Sequence, residues 1–428
     1  MRLPNEKQPA TTTDKQYAEH PDSHYQHLKN AIPEWLGQAS PAKRQALKNT
    51  QPQLPDRLSE LPSDLFELPA DIGNGFDFGN NPLSTVTRER IKTYHRKTGI
   101  DLGVLAPEAD RVQAIELYPN LNPEQASELV YSLPGTLADG RIELARKQTE
   151  LASLISDLTV WMTDIPDDPV TGEPLDAEAL LQEQFKRMRF KDSLERCWRQ
   201  IPVENAFTSE TSFMSNDSIM GDLPVLTADF GHVLELYLTS TGSIVPRASR
   251  FLDYFPNLHS LAVRGYQLDN LPEAIFKMRN LTALSLPECR ITLTQRTLDA
   301  LAGLENLDSL DLRDNPLDLT PDLRNLHELS SLNLSNTGLS EVPRGLLDSR
   351  SLTHADLSNN AITEMPSELT EATPDNTAGF NFSGNPFSAQ SLERIAAHYH
   401  ETGNTLGINA VRGMPRPGNL PPDVDMES

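Results

Sequence analysis

At 428 residues the chain exceeds one ordinary domain, so two or three units are expected, and its 33 prolines suggest globular parts joined by extended segments. A formal net charge of −24 argues against nucleic acid, whose phosphates call for an excess of Lys and Arg, and against an anionic membrane surface. Two cysteines cannot form a disulfide framework and point to a reducing compartment.

The start, "MRLPNEKQPATTTDKQ", has no apolar core of a cleavable signal, and no apolar run reaches the roughly 18 residues of a membrane span. No membrane insertion is expected, and the protein is placed in the cytoplasm or secreted without a cleavable signal peptide.

Residues 1–56 read as a disordered start, to about residue 24, followed by a short helical segment, "HLKNAIPEWLGQASPAKRQALKN", with Ser40-Pro41 as its cap and first position. Residues 57–106 hold one repeat-like stretch, "LSELPSDLFELPADI", and then "GFDFGNNPLS" running into "ERIKTYHRKTGIDLGV". The same ending returns as "GFNFSGNPFS" and "ERIAAHYHETGNTLGI", at a constant offset of 304 from Gly75/Gly379 to Gly103/Gly407. This is an internal duplication.

From 107 to 202 the chain reads as a helical bundle. Asn122, Pro123 and Gln125 are placed as N-cap, first position and capping-box partner. One helix carries Leu151, Leu154, Ile155, Leu158 and Trp161 as its apolar stripe, and another Leu181, Phe185, Met188, Leu194 and Trp198. Residues 203–230 read as a connector.

Between 231 and 408 one template recurs: apolar, two others, apolar, one other, apolar, two others, a polar slot, one other, apolar. It starts at 233, 258, 281, 307, 329, 352 and 377, a period of 22 to 26 residues. That is the pattern and period of leucine-rich repeats. The fold class is therefore α/β: a leucine-rich-repeat solenoid with a parallel β-sheet on its concave face, preceded by an α-helical bundle. Each repeat contributes a short strand with two inward apolar residues. Asn315, Asn360 and Asn385 fill the polar slot, where an amide can bond buried backbone, with Thr241, Cys289 and Thr337 as weaker substitutes and Tyr266 as a departure. Pro272, Pro343 and Pro366 begin the return path.

Stacked repeats need capped ends, and "GNPFSAQSLERIAAHYHETG" supplies a strand and a lid helix with Leu392, Ile395, Ala396 and Tyr399 at helical spacing. The earlier copy is a lid with hardly any stack before it. Residues 409–428 read as a disordered tail.

The repeats and their flanks resemble bacterial leucine-rich-repeat effector and toxin proteins related to the novel E3 ligase effectors. The resemblance rests on "IPEWLGQASPAKRQAL", "LYPNLNPEQASELVYSLPGTLADGRIELARKQTEL", "LERCWRQIP" and the closing lid. It implies repeats that bind a host protein, and a separate helical domain with a catalytic Cys followed two residues on by Asp. Cys197 is followed by Trp-Arg and Cys289 by Arg-Ile, so no ligase domain is expected.

No catalytic residue, cofactor or metal is assigned. Cys197 and Cys289 read as buried thiols, and His398 and His400, two apart on a helix, as surface residues rather than ligands. "DIPDDPVTGEPLD" lacks calcium-loop spacing and reads as a solvated loop. The expected site is the concave strand face, with partner-binding candidates Glu235, Tyr237, Arg264, Asp311, Arg313, Asn333, His354 and Asp356. A monomeric protein-binding module, with a host-cell protein as the partner the resemblance implies, is the first reading. The alternative is the substrate-targeting part of a ubiquitin-ligase effector that lacks its catalytic domain, and a reactive cysteine would distinguish it.

Overall fold

Eight short strands lie side by side in one all-parallel sheet, in chain order: β1 (Ser212–Ser215), β2 (Glu235–Thr239), β3 (Ser260–Arg264), β4 (Ala283–Ser285), β5 (Ser309–Asp311), β6 (Ser331–Asn333), β7 (His354–Asp356) and β8 (Gly379–Asn381). This is a leucine-rich-repeat solenoid. The computed structural model describes residues 58, 60–67, 78, 83–98, 105–134, 137–168, 171–202, 211–240, 247–373 and 377–415. The expectations for 1–56, for Thr241, for the strand of the first lid and for the tail beyond 415 lie outside the described residues.

The inward pair of each template supplies the core. Leu310 and Leu312, Leu332 and Leu334, and Ala355 and Leu357 are all at most 1% exposed, and the other strands repeat the pattern. Each fully buried leucine contributes roughly 1.5–3 kcal/mol. Register keeps equivalents together, as in Leu284↔Leu310↔Leu332↔Ala355.

The polar slot closes the backbone account where the chain leaves the strand. Asn315 Oδ1 accepts from the backbone N–H groups of Cys289 (2.9 Å) and Ile291 (3.0 Å), and its Nδ2 donates to Leu286 O and Leu312 O, both at 2.8 Å. Asn360 does the same for Thr337, Leu339, Leu334 and Leu357, so each amide ties two repeats. Tyr266, in the same slot, is fully buried and burial raises its hydroxyl pKa. Just before the slot the chain turns through positive φ, at Gly265 among others. A Cβ on Gly265 would lie 2.2 Å from the Ser240 carbonyl oxygen, so only glycine fits there.

The chain forms two compact units that meet in sequence at Gln148 and Thr149. In the first, α1 (Thr85–Thr98) is followed by α2 (Glu108–Leu117), α3 (Pro123–Ser132) and the start of α4 (Leu137–Thr163). Asn122 and Gln125 form the expected capping box on α3. Asp110, 5% exposed at its side chain, receives Arg141 at 2.8 Å.

In the second unit, the end of α4 and α5 (Ala177–Trp198) cap the solenoid beside β1. An aromatic cluster of Trp161, Phe190, Phe213, Phe251, Phe255 and Phe230 fills this end, with neighbouring rings 5.1–6.4 Å apart. Two expectations are corrected. Residues 203–230 are not only a connector: they contain β1, whose Phe213 is buried and pairs in register with Leu236. The apolar stripe of α5 does not face inward at its start, where Leu181, Phe185 and Met188 are 50%, 47% and 41% exposed.

The buried face of α5 instead carries Glu183 and Arg187, with Phe190, Leu194, Cys197 and Trp198. Arg187 donates to the carbonyls of Trp161 (2.5 Å), Asp164 (2.8 Å) and Met220 (2.8 Å), and Glu183 Oε1 accepts from Met220 N at 2.8 Å. A buried ion pair is tolerated because its remaining donors and acceptors are satisfied by backbone at an otherwise irregular junction.

The helices α6 (Gln295–Leu301), between β4 and β5, and α7 (Ser367–Glu371), between β7 and β8, lie on the return paths, and at the far end α8 (Ala389–Thr402) is the lid helix. Its buried stripe is Ser391, Ile395, Ala396 and His398; Leu392 and Tyr399, expected inside, are half-buried. The 3-10 turn Asn409–Gly413 follows, with Val411 fully buried, where the sequence suggested the beginning of a disordered tail.

Candidate protein-binding face

Alternation within each strand leaves an outward face. Its middle column, set by the register, is Met214, Tyr237, Ala262, Ser285, Asp311, Asn333, Asp356 and Asn381. The column before it runs from Ser212 and Glu235 to His354 and Gly379, and the one after it holds Arg264 and Arg313. The structure therefore brings all eight candidates onto one sheet face.

They are not equivalent. Asp311 Oδ1 accepts from Arg313 N at 3.2 Å, Asn333 Oδ1 from Ser335 N at 3.0 Å, and Asp356 Oδ1 from Ser358 N at 2.9 Å. Each short polar side chain closes a turn onto the backbone two residues ahead, at the point where its strand ends. Sideways bonds add to this: Ser285 Oγ donates to Asp311 Oδ2 at 3.3 Å and Asn381 Nδ2 to Asp356 Oδ1 at 3.1 Å. The Arg313 guanidinium stays with Asp311 at 3.4 Å. These residues hold the sheet end together first.

The N-terminal end of the face is different. Met214 is 43% exposed beside the half-buried Tyr237 and Ala262, which makes an apolar strip across three strands. Tyr237 Oη donates to Ser260 Oγ at 3.4 Å, which positions the ring. Glu235 accepts from Ser212 Oγ at 2.8 Å on one side, and on the other Arg264 pairs with Glu288 at 2.7 Å, both half in solvent. An exposed ion pair of this kind contributes little to stability. His354, at the opposite end, is exposed, with Nδ1 2.9 Å from Thr353 Oγ1. Met214 was not a sequence candidate because β1 lacks the repeat template; the Phe213–Ser215 alternation is its only trace.

Neither described thiol is poised for chemistry. Burial pushes Cys197 and Cys289 each up to about 12, and the Cys289 Sγ–H points to Val263 O at 3.1 Å. His398 is corrected from surface to core: it is 2% exposed, with Nδ1 2.8 Å from Thr370 O, while half-buried His400 places Nε2 2.9 Å from Met414 O. Among the described residues no three His, Cys, Asp or Glu side chains are grouped to hold a metal ion, and no helix is long and apolar enough to cross a membrane.

No protein-family model and no curated protein matches the chain. Parts of it are similar to solved structures. Internalin C2 from Listeria monocytogenes is 17% identical, over 56% of this chain and 86% of that one, with a TM-score of 0.32. The functional domain of InlJ, also from Listeria monocytogenes, is 20% identical over 43% of this chain and 37% of that one, with a TM-score of 0.32. The BIR2 ectodomain from Arabidopsis thaliana is 25% identical over 28% of this chain and 64% of that one, with a TM-score of 0.23. The chain thus spans less than two thirds of the InlJ and BIR2 structures.

Proposed function

We propose that this chain is a protein-binding repeat module that recognises a partner protein on the outward face of its sheet. The apolar strip of Met214, Tyr237 and Ala262, flanked by Glu235 and the solvent-facing Arg264, carries the reading. Aromatic, Met and Arg side chains are the types enriched in interface cores, and here the half-buried Tyr237 stands between the exposed Met214 and Arg264 on one sheet face. The acidic and amide residues from Asp311 to Asn381 form the polar continuation of the surface. The sequence resemblance to bacterial leucine-rich-repeat effectors makes a host protein the first partner to try, with the chain acting as a monomer. Targeting for a ubiquitin ligase would need a reactive cysteine other than Cys197 and Cys289.

The test is partner capture by Tyr237→Ala and Arg264→Glu. Loss of capture at an unchanged melting temperature supports the reading. Full capture by the folded double variant sinks it.

A further inference from the structure

The duplication, read from Gly75 in the sequence, reaches back to Leu58 among the described residues. At the same offset of 304, Leu58, Leu61 and Leu65 match Ile362, Met365 and Leu369, all at most 2% exposed. The 3-10 turn Ser63–Glu67 matches α7, and α1 starts and ends at the equivalents of the ends of α8. Thr87, Ile91 and Tyr94 are buried where Ser391, Ile395 and His398 are buried. One scaffold thus folds with two sets of outward side chains, and the second set is a control for the first.

On the first cap a groove of about 590 Å³ lies along α1, lined by Phe66, Val86, Arg90, Tyr94 and Lys97, with Glu89 and Thr93 at its edge. The second cap has Thr370, Gln390, Arg394, His398 and Glu401 at the equivalents of those five. Packing does not require Val86, which is 68% exposed. Phe66 meets Tyr94 edge-on at 5.8 Å, and the Arg90 guanidinium lies 4.6 Å from the Phe66 ring centre. Charge also changes sign between the copies. Glu89, Arg90 and Lys97 sum to a formal +1, with Glu89 paired to Lys92 at 2.9 Å, whereas their equivalents Glu393, Arg394 and Glu401 sum to −1. A cationic, aromatic-walled groove stands on a chain of net charge −24.

We propose that this groove docks an acidic peptide segment of a partner protein. An aromatic or branched apolar side chain of the peptide seats between Phe66 and Val86, and its flanking carboxylates meet Arg90 and Lys97. The groove shares no residue with the sheet face, and the proposal stands or falls without it.

The probe is a phage-displayed library of short random peptides selected on the full chain. Selected peptides are expected to combine Asp or Glu with Phe, Trp or Leu. They should lose about tenfold or more in affinity for the double variant Val86→Gln with Lys97→Glu, which installs the residues of the second cap. Tyr237→Ala should leave that affinity unchanged. Because the second cap folds with Gln and Glu there, an unchanged melting temperature is expected. Basic peptides, peptides indifferent to the double variant, or no enrichment would overturn the proposal. So would self-association of the chain that the double variant abolishes, which would make a second copy the occupant.

Discussion

The hydroxyl of Ser391 donates to the carboxylate of Glu364 at 3.0 Å, across 27 residues of chain. Thr87 donates to Glu60 across the same interval in the first cap, where the helix-capping hydroxyl of Ser84 joins it at 2.5 Å. One polar clamp therefore fastens each lid helix to the repeat before it. The hydroxyl bonds from Ser84 first, then from Thr87, hold the Glu60 carboxyl below its ordinary 4.5.

A folded-state value below the unfolded one means that the clamp contributes stability above the unfolded pKa and loses it as pH falls through the folded one. Glu60→Gln should thus melt lower than the parent chain at pH 7. The gap should close as pH falls below about 4.5, where the parent carboxyl protonates. Thermal melts across pH 7 to 3 measure it, and a gap that widens in acid would contradict the clamp.

Removing an amide from the slot ladder should be costly. Asn360→Ala strands the buried N–H groups of Thr337 and Leu339 and leaves the carbonyls of Leu334 and Leu357 without their side-chain donor. At about 1–3 kcal/mol per unsatisfied buried group, a loss of about 3 kcal/mol or more is expected in urea denaturation. A loss under about 1 kcal/mol would mean that water takes over the amide's role.

Arg187→Met should destabilise the helical end of the solenoid. It removes one of the two cations paired with buried Glu183, leaving Lys186 at 3.3 Å, and takes the guanidinium donor from the carbonyls of Trp161, Asp164 and Met220. Removing one member of a buried pair costs about 3–5 kcal/mol. Denaturant melts read this directly, and a neutral substitution would show that Arg187 is dispensable there.

The repeat template made the seven later strands and the amide ladder legible, because each slot has one physical job repeated at a fixed period. β1 stayed hidden because "SFMS" has one large inward residue and no template around it. The α5 stripe was legible but turned outward. Periodicity at Leu181, Phe185 and Met188 describes an apolar face without saying that anything covers it, while Glu183 and Arg187 are buried because the backbone at 161, 164 and 220 satisfies them. His398 reads polar in sequence but lies in the core because the Thr370 carbonyl meets its ring. Strand alternation places Asp311 and Asp356 outward; it carries no sign that their carboxylates close turns.

That last point changes a substitution experiment. Outward strand residues would ordinarily tolerate charge reversal within about 0.5 kcal/mol. Asp311→Arg and Asp356→Arg each remove a turn-closing acceptor and a sideways bond, so a loss of about 1 kcal/mol or more apiece is expected. Arg264→Glu, at a solvent-facing pair, should stay near neutral. Melting temperatures of the three variants check the ordering.

The most direct test of sheet-face recognition places a photo-crosslinking benzoylphenylalanine at Tyr237 and, separately, at Arg296, 82% exposed on α6. With partner present, position 237 should give one dominant adduct that Arg264→Glu abolishes, and position 296 should give none. Equal adducts at both positions, or an adduct at 296 alone, would contradict the account.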